Sequence, residues 1–233
     1  MNKLIYILLF LFSTSKIAAQ VTLPQLQSLQ YNDILFGNAL NFNGSNTFGI
    51  GQVYVDDSIS NFTIEFWVKN TGADGANDRI FSPYGNTGMH IAKSTTHLKL
   101  YISDLGGPAG WQTPCTLESN QWIHLAFVKN ANAFTVYKNA FQVASYTVTA
   151  ASILPSVFRL GSNLDGVGEN GQFTIDEFRI WNSVRPRVEI QKYMYAVVDP
   201  NNFTDLKLYY RFDQGEAGGS NPLELGLYNS AIN

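Results

Sequence analysis

The sequence is poor in cysteine and in charge. Cys115 is the only cysteine among 233 residues, which excludes a disulfide within the chain and leaves stability to core packing, with a bound metal as the other contributor. Cys115 is interpreted as a small buried hydrophobe, because Pro114, Thr116 and Leu117 supply no positive charge to activate a thiol. Charged residues make up 14%, the formal net charge is -3, and no Lys/Arg cluster follows the N-terminal region. This composition argues against a nucleic-acid-binding protein, which normally carries a basic stripe.

Long hydrophobic runs are also scarce. The one unbroken run covers residues 4–12 and is shorter than the roughly 20 apolar residues that span a bilayer. Lys3 precedes it, and Ile-Ala-Ala at 17–19 offers small residues for cleavage. The pattern predicts a signal peptide over 1–19 and an exported protein, extracellular or at the cell surface, with the periplasm as the alternative. No cysteine stands directly after the predicted cleavage site to carry a lipid, and no transmembrane segment is predicted in the mature chain.

Hydrophobic residues reach 45% and aromatic residues 14%, with 19 glycines, a composition typical of many short strands joined by turns. Residues 61–69 form the clearest strand pattern, with Phe62, Ile64, Phe66 and Val68 on one face. Strand patterns recur every 8–12 residues or so, which predicts an all-β sandwich. We expect a lead-in at 20–37, one domain over 38–215, one helix at 186–195 and an irregular tail at 216–233.

The fold prediction is built around the strand pattern of residues 171–181. Phe173 and Ile175 alternate with polar neighbours, and after Asp176 and Glu177 the apolar alternation resumes one position out of step at Phe178. A shift of phase within one strand is what a β-bulge produces. The stretch therefore predicts a core strand with two carboxylates at a bulge.

Several segments in order resemble the laminin-G-like, concanavalin A-like jelly-roll domains of secreted bacterial proteins. They are Ala-Leu-Asn-Phe-Asn-Gly at 39–44, Phe-Thr-Ile-Glu-Phe-Trp-Val at 62–68, Trp-Ile-His-Leu-Ala-Phe-Val at 122–128, the stretch 134–139, Arg-Leu-Gly at 159–161, Ile-Asp-Glu-Phe-Arg-Ile-Trp at 175–181 and Leu-Tyr-Tyr-Arg-Phe-Asp at 208–213. The resemblance implies a two-sheet antiparallel sandwich with jelly-roll topology, used mostly for binding and adhesion. The chain departs from the family pattern in having Asn43 where Asp is common and Arg185 where a Ser or Thr helix cap is common.

The resemblance also implies a structural calcium ion where the first strand meets the strand bearing Asp176. The implied ligands are Asp176, the Asn43 side chain and the Gly44 carbonyl. Ca²⁺ accepts roughly 6–8 oxygen ligands, amides and backbone carbonyls included. Asn43 in place of a carboxylate predicts weaker binding. The alternative is that Asp176 accepts hydrogen bonds from backbone N–H groups at the bulge.

Ligand-binding candidates lie in loops. Trp111, in a Gly/Pro-rich loop, and Tyr84 are aromatic residues that can stack on a sugar ring, while the alternative for Trp111 is a loop anchored by its own aromatic side chain. Asn163 and Asp165 lie in the oxygen-rich loop 163–170, which lacks the ligand spacing of an EF-hand, as does loop 74–78. Both loops can equally be solvated turns.

The sequence gives little evidence for a catalytic site. A retaining glycosidase needs two carboxylates about 5–5.5 Å apart, and related glucanases place them in a Glu-x-Asp-x-Glu strand that this chain lacks. Glu65 stands alone in its strand pattern, and His124 is interpreted as structural. We therefore expect a non-enzymatic module that recognises a glycan or a surface or extracellular protein. The alternatives are a structural or accessory subunit of a surface assembly and, third, a degenerate glycoside hydrolase.

Overall fold

A computed structural model describes residues 37–44, 49–52, 59–72, 75–83, 88–151, 154, 157–163, 168–213 and 231. The chain divides into two compact units, and the larger one, Gly37–Met194 with Val198–Asn233, contains both sheets. The described part of the smaller unit is Tyr195–Val197. Among the described residues no helix has the length and hydrophobicity needed to cross a membrane.

The described residues form two antiparallel sheets, as the sequence predicts. The thirteen strands of this part of the chain are β1 Leu40–Asn43, β2 Gly49–Gln52, β3 Phe62–Asn70, β4 Asp78–Pro83, β5 His90–Lys93, β6 Leu98–Tyr101, β7 Trp111–Gln112, β8 Trp122–Asn130, β9 Ala133–Lys138, β10 Phe141–Thr147, β11 Val157–Leu160, β12 Gln172–Trp181 and β13 Leu206–Tyr210. The seven-stranded sheet runs β1-β12-β3-β8-β9-β10, with β13 also paired to β12. The six-stranded sheet runs β2-β11-β4-β5-β6-β7.

The core lies between the two sheets and is rich in aromatic rings. Phe178 of β12 packs on Phe66, Phe81 and Phe158, with ring centroids 5.6, 6.3 and 5.6 Å apart. These contacts join both sheets through one side chain. Burying an aromatic ring of this size stabilises a fold by about 1.5–3 kcal/mol, so the Phe178 position anchors the sandwich.

The β-bulge predicted in β12 is present. Asp176 pairs with Trp67 and Arg179 pairs with Glu65, so two β12 residues face the single residue Phe66 of β3. Glu177 adopts a φ of 51°, the left-handed conformation that the first residue of a G1 bulge takes and that glycine usually supplies. The bulge turns Phe178 and Ile180 back into the core, as the shift of phase indicates.

A second buried layer covers the outward face of the seven-stranded sheet. Helix α1, Arg187–Tyr193, is the α-helix of the described residues and begins after Pro186. Trp67 donates its indole N–H to the Met194 carbonyl at 2.7 Å. A small cluster of Trp181, Val198, Leu206 and Tyr209 is buried on this side. The sandwich therefore has one apolar core between its sheets and a mixed polar and apolar layer under α1.

Candidate ligand-binding face

The outward face of the six-stranded sheet carries a row of polar and aromatic side chains. Leu160, Phe81, Ile91 and Leu100 pair in turn across β11, β4, β5 and β6 and point into the core. Side chains alternate along a strand, so the residues one position away point outward. We call them the cross-strand row, and they are Arg159, Ser82, His90, Tyr101 and Trp111.

The aromatic rings of the row touch one another. The His90 and Tyr101 rings lie 5.6 Å apart edge to face, and the Tyr101 and Trp111 rings lie 5.5 Å apart. Tyr101 and Trp111 are half-buried, whereas His90 is buried. The two half-buried rings give this face an apolar surface of the kind on which a sugar ring stacks.

The Arg79 guanidinium contacts the cross-strand row at Trp111. Its guanidinium carbon lies 4.5 Å from the centre of the Trp111 ring. Its Nε donates to Glu169 Oε2 at 2.9 Å, and its Nη2 lies 2.8 Å from the same oxygen. The Arg79 backbone N–H also donates to the Glu169 carbonyl at 2.8 Å. These contacts fix the guanidinium over the indole by a cation–π interaction and an ion pair.

The loop that supplies Glu169 is brought to the sheet by a glycine. Gly161 has a φ of 84° and lies against the Phe42 ring, where an added Cβ would be 2.2 Å from Cδ1. Its N–H donates to the Ile80 carbonyl at 3.1 Å, and its own carbonyl accepts from the Gly171 N–H at 3.1 Å. Only glycine fits both the conformation and the space, so Gly161 sets where the loop leaves and rejoins the face.

Polar atoms of this face are buried without a hydrogen-bond partner among the described residues. They are Arg79 Nη1, Ser82 Oγ and His90 Nδ1. Ser82 is 1% exposed and His90 is 5% exposed. Burial, with the Arg79 charge second, lowers the pKa of His90 to about 4. The imidazole is therefore neutral at pH 7 and able to both donate and accept hydrogen bonds.

The ligand-binding residues predicted from sequence fall partly on this face. Trp111 lies at its edge, in β7 rather than in a loop. Asn163 begins the loop that returns through Glu169, and its N–H faces the Gly168 carbonyl at 3.5 Å. Tyr84 and Asp165 lie outside the described residues. Sequence reasoning missed Arg79, Ser82, His90 and Tyr101, whose meeting depends on the pairing of β4, β5, β6 and β7.

The three calcium ligands implied by the resemblance are not brought together. Asn43 pairs with Gln172, and Gln172 Nε2 donates to the Asn43 carbonyl at 3.0 Å. Asp176 lies four residues further along β12, which is roughly 13 Å at about 3.3 Å per residue. Gly44 follows Asn43 beyond the end of β1. Among the described residues, no group of three or more His, Cys, Asp and Glu side chains is close enough to hold a metal.

Asp176 is instead placed at the bulge. Its Oδ1 accepts the Glu177 backbone N–H at 2.8 Å, which is the alternative role considered from sequence. Burial, with the Glu177 charge second, raises the pKa of Asp176 to about 8. Asp176 thus caps the irregular backbone of β12.

A buried ionic cluster beneath α1 was also missed. Arg179 Nη1 lies 3.6 Å from Glu65 Oε1, and Arg179 Nη2 donates to Glu177 Oε2. Glu65 accepts the Trp181 indole N–H at 3.0 Å, and the Tyr209 hydroxyl donates to Glu177. Burial raises the pKa of Glu65. The two carboxylates share one guanidinium inside the protein, so the geometry suits a structural support of the bulge rather than contact with a substrate.

His124 and Cys115 agree with their structural interpretations. His124 Nε2 lies 3.6 Å from Glu65 Oε2 in the buried layer, and burial, with the Arg179 charge second, lowers its pKa to about 3. Cys115 packs half-buried against the core. Burial raises the pKa of its thiol to about 11, which keeps the thiol protonated and unreactive.

One known protein family has a model that matches most of this chain. The model of the concanavalin A-like lectin/glucanases superfamily, of laminin G type, matches residues 42–191. A comparison with curated proteins gives no significant match.

Solved structures share the fold at low sequence identity. A candidate carbohydrate-binding protein from Bacteroides ovatus is 20% identical with a TM-score of 0.62, over 79% of this chain and 54% of that chain. The binding domain of Paraclostridial Mosquitocidal Protein 1 is 20% identical with a TM-score of 0.55, over 67% of this chain and 42% of that chain. A Trypanosoma rangeli sialidase is 15% identical with a TM-score of 0.54, over 66% of this chain and 27% of that chain. This chain therefore spans about half of the first of these proteins and less of the others.

Proposed function

The chain belongs to the concanavalin A-like lectin/glucanase superfamily, and on that premise we propose that it is a non-catalytic module that binds a glycan on the outward face of the six-stranded sheet. The observation that carries the proposal is the contact of Trp111, Tyr101 and His90 beneath the Arg79 guanidinium. The carbohydrate-binding description of the Bacteroides ovatus protein supports the same class of ligand.

The row offers the stacking contact that sugar binding needs. The half-buried rings of Tyr101 and Trp111 stack on the apolar side of a pyranose. Ser82 and His90 lie buried in the same row and support these rings rather than contact the sugar. Because the Arg79–Glu169 pair already fixes the edge of the face, little conformational entropy is lost there on binding.

The test is glycan binding by a tryptophan variant. Trp111→Ala is expected to lower affinity for a glycan found on an array by roughly 10-fold or more, since truncating a tryptophan that anchors a ligand commonly costs about 2 kcal/mol. Isothermal titration calorimetry measures the change, and circular dichroism checks the fold.

Trp122→Ala is the matched control. Trp122 is likewise half-buried at a strand position but belongs to β8 of the other sheet. The proposal fails if both variants bind equally well, or if the wild-type protein binds no glycan.

We further propose that the module has no hydrolytic activity and acts outside the cytoplasm. Glu65 and Glu177 are buried and share Arg179, which leaves neither carboxylate available to a glycosidic bond. The predicted signal peptide over 1–19 supports export. Export is tested by the mass of the protein recovered from the producing cell, because signal-peptide cleavage removes residues 1–19. A protein that stays in the cytoplasm with these residues intact would refute export.

An accessory role in a surface assembly is the second candidate. β10 ends the seven-stranded sheet, and the exposed apolar side chains Phe141, Val143 and Val188 lie on β10 and α1. Exposed apolar surface at a sheet edge is typical of protein contacts. Cross-linking in the producing cell tests this role. A partner lost with Phe141→Ser but kept with Trp111→Ala would favour it over glycan binding.

A further inference from the structure

Strand β10, Phe141–Thr147, ends the seven-stranded sheet and pairs with β9 alone among the described residues. The backbone groups on the outer side of such an edge strand can pair with another strand, and proteins commonly protect a long edge with charged side chains or proline. The sequence of β10, Phe-Gln-Val-Ala-Ser-Tyr-Thr, contains neither. A bulge at Val143 is a second common protection, but the register is regular beyond it, from Ala144 to Thr147.

The margin of the apolar core lies open along β10. Ala144 and Tyr146 pack against the core but are only half-buried. Phe141 and Val143 are 42% and 36% exposed. A strand of another polypeptide beside β10 would cover these four side chains and bond the outer backbone groups at the same time.

We propose that this strand is β10 of a second copy of the chain, paired antiparallel about a two-fold axis perpendicular to the sheet. In a two-fold contact the same segment faces itself, so a charged edge would place like charges together. Because β10 has no charged residue, pairing with itself brings no such repulsion. The axis keeps each face of the sheet on its own side, so Ala144 and Tyr146 of both copies join one continuous core.

The charges beside the two ends of β10 favour the antiparallel direction. Arg187 donates from Nε to the Ala140 carbonyl at 2.8 Å, just before the strand begins. Asp104 precedes Leu105, whose carbonyl accepts the Thr149 N–H at 2.7 Å, just after the strand ends. Both charged residues are exposed. Antiparallel pairing turns the basic end of each copy toward the acidic end of the other, whereas parallel pairing would bring like ends together.

The pairing also sets the direction of the candidate ligand-binding faces. A two-fold axis perpendicular to the seven-stranded sheet leaves both six-stranded sheets on the same side of the dimer, so their outward faces point the same way. Two linked sites hold a surface that carries many ligands more tightly than one site does. This consequence rests on the proposed function, whereas the dimer itself does not.

Ser145→Lys and Asn41→Lys supply matched variants. Both residues are exposed and polar and lie in end strands of the seven-stranded sheet, each between two side chains that pack on the core, Ser145 in β10 and Asn41 in β1. Size-exclusion chromatography with light scattering measures the mass of the full mature protein over a range of concentrations, and circular dichroism checks the fold. We expect dimers of the wild type and of Asn41→Lys. Ser145→Lys should weaken the dimer at least roughly tenfold, because it brings two like charges to the contact.

Hydrogen exchange of the wild-type protein locates the contact. Amide N–H groups on the outer side of β10 should exchange more slowly as the dimer forms, and this protection should be lost in Ser145→Lys. A protein that is monomeric at every concentration, a dimer that Ser145→Lys leaves intact, or equal loss in both variants overturns the inference. Assembly beyond a dimer also overturns it. Protection of β10 already present in the monomer would mean that the chain covers its own edge, and it overturns the inference too.

The mass measurement needs no glycan, so its outcome is separate from that of the proposed function. A dimer that binds no glycan supports the inference and overturns the proposed function. A monomer that binds a glycan does the reverse. Where both hold, Ser145→Lys should lose retention on a glycan-coated surface while keeping its affinity for the same glycan in solution.

Discussion

His90 is buried against Tyr101 and Trp111 and faces the charge of Arg79. Its pKa is lowered to about 4 in the folded protein and is about 6.5 in an unfolded chain. The folded state binds fewer protons at this site than the unfolded state between those values. Its contribution to stability is therefore complete above about pH 6.5 and is lost as the pH falls toward 4.

We expect the free energy of unfolding of the wild-type protein to fall between pH 6.5 and pH 4, and His90→Gln to remove up to about 1 kcal/mol per pH unit of that slope. His124 contributes in the same direction, because its pKa is lowered to about 3, so part of the slope remains. Urea unfolding at several pH values measures it. His97→Gln, at an exposed position, is the control, and equal flattening in both variants would contradict the assignment.

Arg179 lies between Glu65 and Glu177 in the layer beneath α1 and forms an ion pair with each of them. Its Nη1 also donates to the Tyr193 carbonyl at 2.9 Å, which ties β12 to the end of the helix. Arg179→Met leaves Glu65 and Glu177 without the guanidinium that they share, while Glu177 keeps the longer contact with Arg211 at 3.7 Å. We expect a loss of about 3–5 kcal/mol of unfolding free energy, the usual effect of breaking a buried ion pair by removing one partner.

Chemical denaturation measures this loss, and Arg187→Met is the control. Arg187 is an exposed arginine whose guanidinium carbon lies 5.0 Å from the centre of the Phe141 ring. The control should cost about 1 kcal/mol or less. If Arg179→Met fails to fold, Arg179→Lys is the second variant, because it keeps the positive charge. We expect its unfolding free energy to lie between those of the wild-type protein and the methionine variant. A lysine variant no more stable than the methionine variant would count against the ionic explanation.

At the scale of elements, helix α1 lacks a side-chain cap. Pro186 occupies the N-cap position, one residue after Arg185, where the family resemblance placed the cap. Arg185 has another role, because its guanidinium carbon lies 4.1 Å from the centre of the Trp181 ring. Its backbone N–H donates to Thr63 Oγ1 at 2.9 Å. The residue fixes the approach of the helix to the sheet rather than its first turn.

Pro186→Ser should supply the missing cap, since a serine here stands three residues before Glu189 in the spacing of a capping box. Pro186→Ala is the comparison, because both variants lose the proline ring. We expect the serine variant to exceed the alanine variant by about 1 kcal/mol in unfolding free energy. Thermal and urea melts measure the difference, and equal stabilities would show that the first turn is satisfied in another way.

The elements predicted from the sequence alone are those whose signal is local. The alternation of Phe62, Ile64 and Phe66 defines β3, and the shift of phase around Glu177 places the bulge of β12. The helix predicted at 186–195 appears as Arg187–Tyr193. Val188, expected on its apolar side, is 70% exposed, whereas Ile190 and Met194 from the same predicted side are buried.

The candidate binding face could not be predicted in the same way. His90, Tyr101 and Trp111 are 11 and 10 residues apart along the chain, and they meet only through the order of strands in the sheet. Glu65 likewise looked isolated in β3 because its partners Arg179 and Trp181 arrive from β12. Cross-strand neighbours depend on pairing and register, which no local pattern specifies.

At the scale of the whole molecule, calcium binding stays a prediction of the family resemblance. A thermal melt of the mature protein with calcium and with chelator tests it, because a ligand that binds only the folded state raises the melting temperature with its concentration. A site at Asp176 predicts that this rise disappears in Asp176→Asn. The absence of any shift at millimolar calcium would leave Asp176 as the acceptor of the Glu177 N–H.

The bulge in β12 also changes how this chain can be recombined with its relatives. Before it the odd-numbered residues Phe173 and Ile175 face the core, and after it the even-numbered Phe178 and Ile180 do. A chimera joined within 176–178 to a relative with an unbulged strand would change that parity. It would then turn Arg179 into the apolar core and Phe178 toward the helix, so viable crossover points lie on either side of the bulge and carry it whole.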